Sequence, residues 1–288
     1  LNFPYYRAIR GQMLRGEVPA PCQGCYHAEK KGGFSPRLDY LNRFEEDFKE
    51  SLAKTTSHGE IENPNVAYLE IATDNSCNLR CRMCHPAYSR GLIQDWADLG
   101  IPLEKEWKFD LKEQREALLK SSLMKEICDH VKMVTLTGGE PLKSPIPQEI
   151  IKMLDDRGRA GDIEIRFYTN LTQFPSTQQL SEWERFKKVT IYGSLDGEGQ
   201  TFEYIRYPAR WENVDQNLRS FIKLGEGPGN IEVKIHTVFQ ACNAIRMPEL
   251  ILYLTEFKDQ MPPVPSITYL ETPKVLDPRV LPVGKLKE

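Results

Sequence analysis

From Val66 onward, short runs rich in β-branched and aromatic residues alternate with amphipathic stretches, and this alternation constrains the chain more than any other feature. Strand, helix and strand in succession imply a parallel sheet, because parallel neighbours need a crossover between them. Six strands are predicted: V-A-Y-L-E-I-A (66–72), K-M-V-T-L-T (132–137), I-E-I-R-F-Y-T (163–169), K-V-T-I-Y-G-S (188–194), I-E-V-K-I-H-T-V (231–238) and S-I-T-Y-L (266–270). Helices are predicted around 86–98, 146–156, 176–187, 211–224 and 247–259, and residues 100–128 read as one or two inserted helices with a solvated charged face. With 288 residues and 40% hydrophobic content, the chain can bury the core of one large α/β barrel or of two smaller domains.

Residues 1–62 have a different texture. A short helix ends near Arg15, Cys22 and Cys25 form a C-x2-C turn bracketed by prolines, and a charged amphipathic helix is predicted over 37–53. Asn63-Pro64 marks the junction, so the expected domains are an N-terminal extension, 1–62, and a barrel, 63–288. The start at Leu1 and the short stretch after strand six point to missing sequence at both ends.

Charge and hydropathy narrow the partners. A net charge of −3 with interleaved signs gives no basic stripe, so nucleic acid is not expected. No apolar run approaches the ~18 residues of a membrane span. Seven cysteines, three of them clustered, suit a reducing, cytoplasmic setting better than a disulfide framework.

Those three lie in D-N-S-C-N-L-R-C-R-M-C-H-P, where Cys77, Cys81 and Cys84 follow strand one with spacing C-x3-C-x2-C. Structural zinc is closed by four protein ligands, whereas three leave one coordination position for something that is not protein. Soft thiolates select zinc, copper(I) or iron–sulfur clusters. A ferredoxin run would carry a fourth cysteine followed by proline, and His85 stands in its way here. Three buried apolar cysteines are the competing reading, and the flanking Asn78, Arg80 and Arg82 argue against it.

Ligands of parallel βα folds sit at the carboxyl ends of the strands, so the loops after successive strands share one mouth. T-G-G-E-P (137–141) follows strand two, T-N-L-T (169–172) strand three, S-L-D-G (194–197) strand four, and Gln240 and Asn243 strand five. This set of spaced motifs resembles the radical S-adenosylmethionine enzymes over nearly all of residues 66–271. The resemblance implies a partial (β/α)6 TIM-like barrel behind a small, mainly helical N-terminal extension. It also implies a four-iron four-sulfur cluster on Cys77, Cys81 and Cys84, whose open iron takes S-adenosylmethionine.

Carried over motif by motif, Gly138, Gly139 and Glu140 would line the methionyl amino group. Met83 would lie near the adenine, and Ser194 and Asp196 would meet the ribose and methionyl moiety. Arg206, in E-Y-I-R-Y-P, would face the methionyl carboxylate, with Asn170 and Thr237 weaker members of the same pocket. Without the resemblance, Gly138-Gly139 is equally a tight strand-to-helix turn and Met83 a gap-filling methionine.

The implied activity is reductive cleavage of S-adenosylmethionine to a 5′-deoxyadenosyl radical that takes hydrogen from a peptide or small-molecule substrate, with reduced flavodoxin or a ferredoxin as electron donor. A non-catalytic iron–sulfur or zinc protein of electron transfer or assembly is the alternative. Cys22 and Cys25 look like part of a twitch or SPASM-type extension holding an auxiliary cluster. Such extensions commonly follow the barrel, and this one precedes it.

Overall fold

The computed structural model of the chain describes residues 2–103, 111–227, 229–282 and 284. Part of the expected insertion, 104–110, lies outside the described residues. The chain divides into two compact units, Leu1–Ala67 and Tyr68–Glu288.

The first unit holds α1 (Pro4–Leu14), α2 (Gln23–Lys30), α3 (Pro36–Arg43) and α4 (Glu45–Ala53). Ser35 caps α3, its hydroxyl accepting from the Leu38 amide, with Pro36 in the first turn. Two expectations fail here. The helix over 37–53 is broken at Phe44 (φ −118, ψ 38), and Glu45, Glu46 and Asp47 open a new first turn, where carboxylates favour a helix N-terminus. Cys22 and Cys25 do not form a free turn: Cys22 is the N-cap position of α2 and Cys25 lies in its first turn.

The second unit runs β1 (Tyr68–Ala72), α5 (Arg90–Asp98), α6 (Leu111–Lys120), α7 (Ser122–His130), β2 (Met133–Thr137), α8 (Ile146–Asp155), β3 (Glu164–Thr169), α9 (Thr177–Trp183), β4 (Lys188–Ser194), α10 (Gly199–Ile205), α11 (Trp211–Gly225), β5 (Ile231–Phe239), α12 (Met247–Leu254) and β6 (Ser266–Tyr269). The strands form one sheet in the order β1-β2-β3-β4-β5-β6, every pairing parallel. β1 and β6 each have one strand neighbour, which makes an open half-barrel of the expected α/β class. Helix α10 was not anticipated, since seven residues are too few to show a helical period.

Alternation along the strands separates two faces. Residues such as Leu136, Ile165, Phe167, Val189, Ile191 and Val233 are buried on the outer face, and the Phe167 ring stacks on Trp183 of α9 at 4.6 Å. The intervening positions Arg166, Tyr168, Tyr192, Lys234 and His236 face the interior of the half-barrel, where Tyr168 stacks on Tyr192 and meets the His236 ring. A one-residue slip would exchange these faces, so burial of the apolar set fixes the register. That register brings the carboxyl ends of β1 to β5 to one rim: Ala72 pairs with Thr137, Thr169 with Gly193, and Ser194 with His236.

Candidate functional site

The cysteine loop and the G-G-E loop are laced together through their backbones. The Thr73 amide donates to Thr137 O at 2.9 Å, Gly139 to Asp74 O at 2.8 Å, and Glu140 to Ser76 O at 2.9 Å. A Cβ on Gly138, whose φ is +117, would lie 2.8 Å from Asp74 O, and one on Gly139 would lie 2.5 Å from Ser76 O. Glycine is required at both positions because main chain meets main chain there, so neither of the two sequence readings, bare turn or ligand contact, described the whole constraint. Asp74, overlooked in the sequence, completes the splice: its Oδ1 accepts from the Ser76 amide at 2.8 Å and its Oδ2 from the Ser144 hydroxyl at 2.7 Å. The signal was present in D-N-S, since aspartate bonded to the amide two residues on is a common turn device.

Cys81 is buried and Cys77 and Cys84 are half-buried, all three with free thiols. Each electrostatically affects Cys81, so the three face one region. Burial pushes the Cys77 thiol up to about 11 and the Cys81 thiol to about 12; Cys84 is raised for the same reason. Nearby Arg206 works in the opposite direction on Cys81 and Cys84. Leu79 N–H reaches Cys77 Sγ at 3.4 Å and Asn170 Nδ2 reaches it at 3.8 Å.

Among the described residues, no three His, Cys, Asp or Glu side chains are placed to chelate a single metal ion. One ion with bonds of about 2.3 Å to sulfur draws its ligands tightly together. A cuboidal cluster puts a separate iron behind each cysteine and asks for a wider set. The donor chemistry of this loop, three free thiols in one partly buried region with an arginine near them, fits such a cluster, and its binding would release the thiol protons.

Glu140 is fully buried and acts as a brace. Its Oε1 accepts from the Thr169 hydroxyl at 2.8 Å and the Leu142 amide at 3.1 Å, and its Oε2 from the Asn170 amide at 2.7 Å. Burial raises its pKa against these hydrogen bonds, which favour the carboxylate. Asn170 carries the link onward: its Nδ2 donates to Asn78 Oδ1 at 3.1 Å, and its Oδ1 accepts from the Thr172 amide at 2.9 Å. After it, Leu171 is buried with φ +62 and packs against Gly193 of β4, where a Cβ would come within 2.8 Å of Leu171 Cδ1.

Beyond β4, Asp196 and Arg206 form a buried pair, Nε to Oδ2 at 2.8 Å. Against the desolvation of the buried guanidinium, which lowers the Arg206 pKa, the carboxylate raises it. The other oxygen of Asp196 accepts from the Val238 amide at 2.7 Å. The segment around Arg206 also holds the cysteine loop, with Arg80 N–H on Tyr207 O at 2.6 Å and Arg82 N–H on Ile205 O at 2.9 Å. The Arg82 guanidinium lies over the Tyr204 ring at 3.8 Å.

Thr237 is otherwise engaged, its hydroxyl donating to Leu195 O at 2.6 Å. Asn243 ties the loop after β5 to Asp196 O at 3.0 Å and to the Gln240 amide, while both polar atoms of the buried Gln240 side chain are without a partner among the described residues. Gln240 was noted only by position in the sequence. Its burial could not be read there.

Of the residues singled out in the sequence, Cys77, Cys81, Cys84, Gly138, Gly139, Glu140, Asn170, Asp196 and Arg206 are joined in one network, and Ser194 lies at the end of β4 beside His236. Met83 packs half-buried against the core beside Cys84. His85 turns away onto Trp96 of α5, ring centres 5.8 Å apart. Cys128 is buried in α7, while Cys22 and Cys25 belong to the other unit.

The Radical SAM superfamily matches residues 72–240, the stretch that carries this network. The chain belongs to the radical SAM superfamily. It is thereby an enzyme of the radical SAM class. Among curated proteins, this radical SAM chain is 31% identical over 230 residues to molybdenum cofactor biosynthesis protein 1 of Mus musculus, covering 80% of the chain and 32% of the relative. It is 27% identical over 214 residues to GTP 3',8-cyclase of Campylobacter fetus subsp. fetus (strain 82-40), covering 72% and 56%. It therefore spans about a third and somewhat over half the length of these relatives. The crystal structure of Streptococcus suis SuiB aligns over 78% of this chain and 44% of that one, with 16% identity and a TM-score of 0.47.

Proposed function

We propose that the chain uses Cys77, Cys81 and Cys84 to hold a four-iron four-sulfur cluster and the surrounding rim to hold S-adenosylmethionine, for hydrogen abstraction from a peptide or small metabolite. The observation that carries this reading is the lacing of the three-thiol loop to both the G-G-E loop and the Arg206 segment, which makes one mouth of motifs far apart in sequence. When bound, the cluster and S-adenosylmethionine supply one-electron cleavage and the 5′-deoxyadenosyl radical.

The chain's own residues position and neutralise. Arg206 sets a fixed positive charge beside thiolates that carry several negative ones, and its planar fork can take a carboxylate through paired hydrogen bonds. Gly138 and Gly139 keep the rim loop close to the cysteine loop, leaving no side chain between it and a ligand. Glu140 holds the loops after β2 and β3 together, which limits how far the mouth can open. Met83, Asn170, Ser194 and Asp196 complete the wall assigned to the cofactor. The likeness to a GTP 3',8-cyclase supports a small-molecule substrate over a peptide.

We extend the reading to Cys22 and Cys25 as the protein-borne half of an auxiliary cluster site, and to residues 1–62 as the extension that carries it. Reduced flavodoxin or ferredoxin would be the electron source. The test is direct: protein reconstituted anaerobically, given dithionite and S-adenosylmethionine, should release 5′-deoxyadenosine, and Cys77→Ala should abolish it. Cluster-loaded wild type that releases none sinks the proposal. A C22A/C25A variant should hold less iron per chain than wild type, and an unchanged count removes the auxiliary site.

A further inference from the structure

Arg166 stands half-buried in the middle of β3, in an inward row that the register defines as Glu70, Thr135, Arg166, Thr190 and Glu232. Among the described residues, no carboxylate pairs with its guanidinium and no acceptor takes its N–H groups. The acids of the same row are engaged elsewhere. Glu232 holds Lys188 at 2.8 Å and Lys234 at 3.1 Å, and Glu70 accepts from the Tyr68 hydroxyl at 2.8 Å. Beside Arg166 on β2, Thr135 is 3% exposed and its hydroxyl has no partner among the described residues.

Among the described residues the buried Thr135 hydroxyl is unanswered, which is costly to a fold that gains nothing from it, and the half-buried guanidinium beside it has its own donors unspent. A single oxyanion satisfies both, the guanidinium donating two parallel hydrogen bonds and the hydroxyl a third. The row lies below the rim. Ser194 lies four positions beyond Thr190 on β4, roughly 13 Å at about 3.3 Å per residue. Between the two levels stand the stacked rings of Tyr168 and Tyr192, 4.7 Å apart, with His236 edge-on to Tyr168.

We propose that Arg166 and Thr135 form an oxyanion seat on the floor of the half-barrel, taking a carboxylate or phosphate group of a small anionic substrate. The inference rests on the radical reading in one respect: the ligand is taken to be the substrate whose C–H is presented at the rim. Its anionic group is anchored deep, and the tyrosine pair lines the passage between.

The test titrates cluster-loaded, anaerobic protein with inorganic pyrophosphate and, separately, with succinate, by calorimetry. Saturable binding of either supports the seat, pyrophosphate alone assigning a phosphate and succinate alone a carboxylate. Arg166→Gln should weaken that binding at least about tenfold and Thr135→Val about threefold. Arg166→Lys should fall between wild type and Arg166→Gln, because it keeps the charge and loses the fork. Arg210→Gln, at a side chain 76% exposed, should change nothing. Thr135→Val deletes only an unpaired hydroxyl and should fold at least as well as wild type, so it carries the test if Arg166→Gln misfolds.

Failure of wild type to bind either anion, or equal binding by wild type and the Arg166 and Thr135 variants, overturns the seat. Arg166→Gln should still release 5′-deoxyadenosine. A wild type that binds the anion but releases none sinks the radical reading and leaves the seat standing.

Discussion

Asp196 and Arg206 face one another at 2.8 Å with the carboxylate side chain 0% and the guanidinium side chain 9% exposed. Removing one partner from a buried pair leaves the other charge uncompensated, which typically costs about 3–5 kcal/mol. Asp196→Asn should therefore lower the urea midpoint severely. Asp196→Asn combined with Arg206→Met should cost less than the sum of the two single changes, by about 1–3 kcal/mol. Simple additivity in the double-mutant cycle would show that the pair is not coupled.

Gly139→Ala places a methyl group 2.5 Å from Ser76 O. Overpacking of this kind costs about 1–3 kcal/mol, and the shift falls on the cysteine loop itself. Iron bound per chain after reconstitution should fall with stability. Gly161→Ala, with nothing within 4 Å of its added Cβ, serves as the control and should change neither.

Glu140→Gln turns one acceptor oxygen of the brace into a donor facing donors: the Thr169 hydroxyl and the Leu142 and Asn170 amides. Leaving such buried groups unpaired costs about 1–3 kcal/mol. Amide hydrogen exchange at Asn170 should accelerate in this variant. Unchanged protection there would show that the brace does not hold the loop.

His236 links acidity to stability. Burial holds its imidazole below the ordinary 6.5, with Asp196 opposing and Arg206 adding to the effect, while Ser266 and Tyr168 pack against the ring. The unfolded chain thus binds a proton that the folded one resists, so stability falls as pH drops through about 6.5 and levels off below the folded value. Urea midpoints between about pH 7.5 and 5.5 should fall more steeply in wild type than in His236→Gln. Glu140, raised by burial, acts in the opposite sense as pH rises, but it is present in both proteins and cancels in the difference. Parallel curves would remove His236 as the cause.

Local pattern was enough for the strands and for the cysteine spacing, because both are carried by neighbouring residues: all six strands begin and end within two residues of the expected bounds, and β4 runs Lys188–Ser194 as expected. Element breaks were less legible. Phe44 interrupts what reads as one amphipathic helix, and α10 is too short for its period to show.

By itself, then, the sequence determined an α/β chain of parallel strands with a three-thiol loop after the first and motif loops after the next three. Only the tertiary structure decided that Gly138 and Gly139 must lack side chains against Asp74 and Ser76, that Arg206 meets Asp196 in a buried pair, and that Arg166 stands without one among the described residues. The physical reason is strand register. Which side chains meet across a sheet depends on pairings between strands dozens of residues apart, and burial of the outer apolar face sets those pairings where no local pattern can record them.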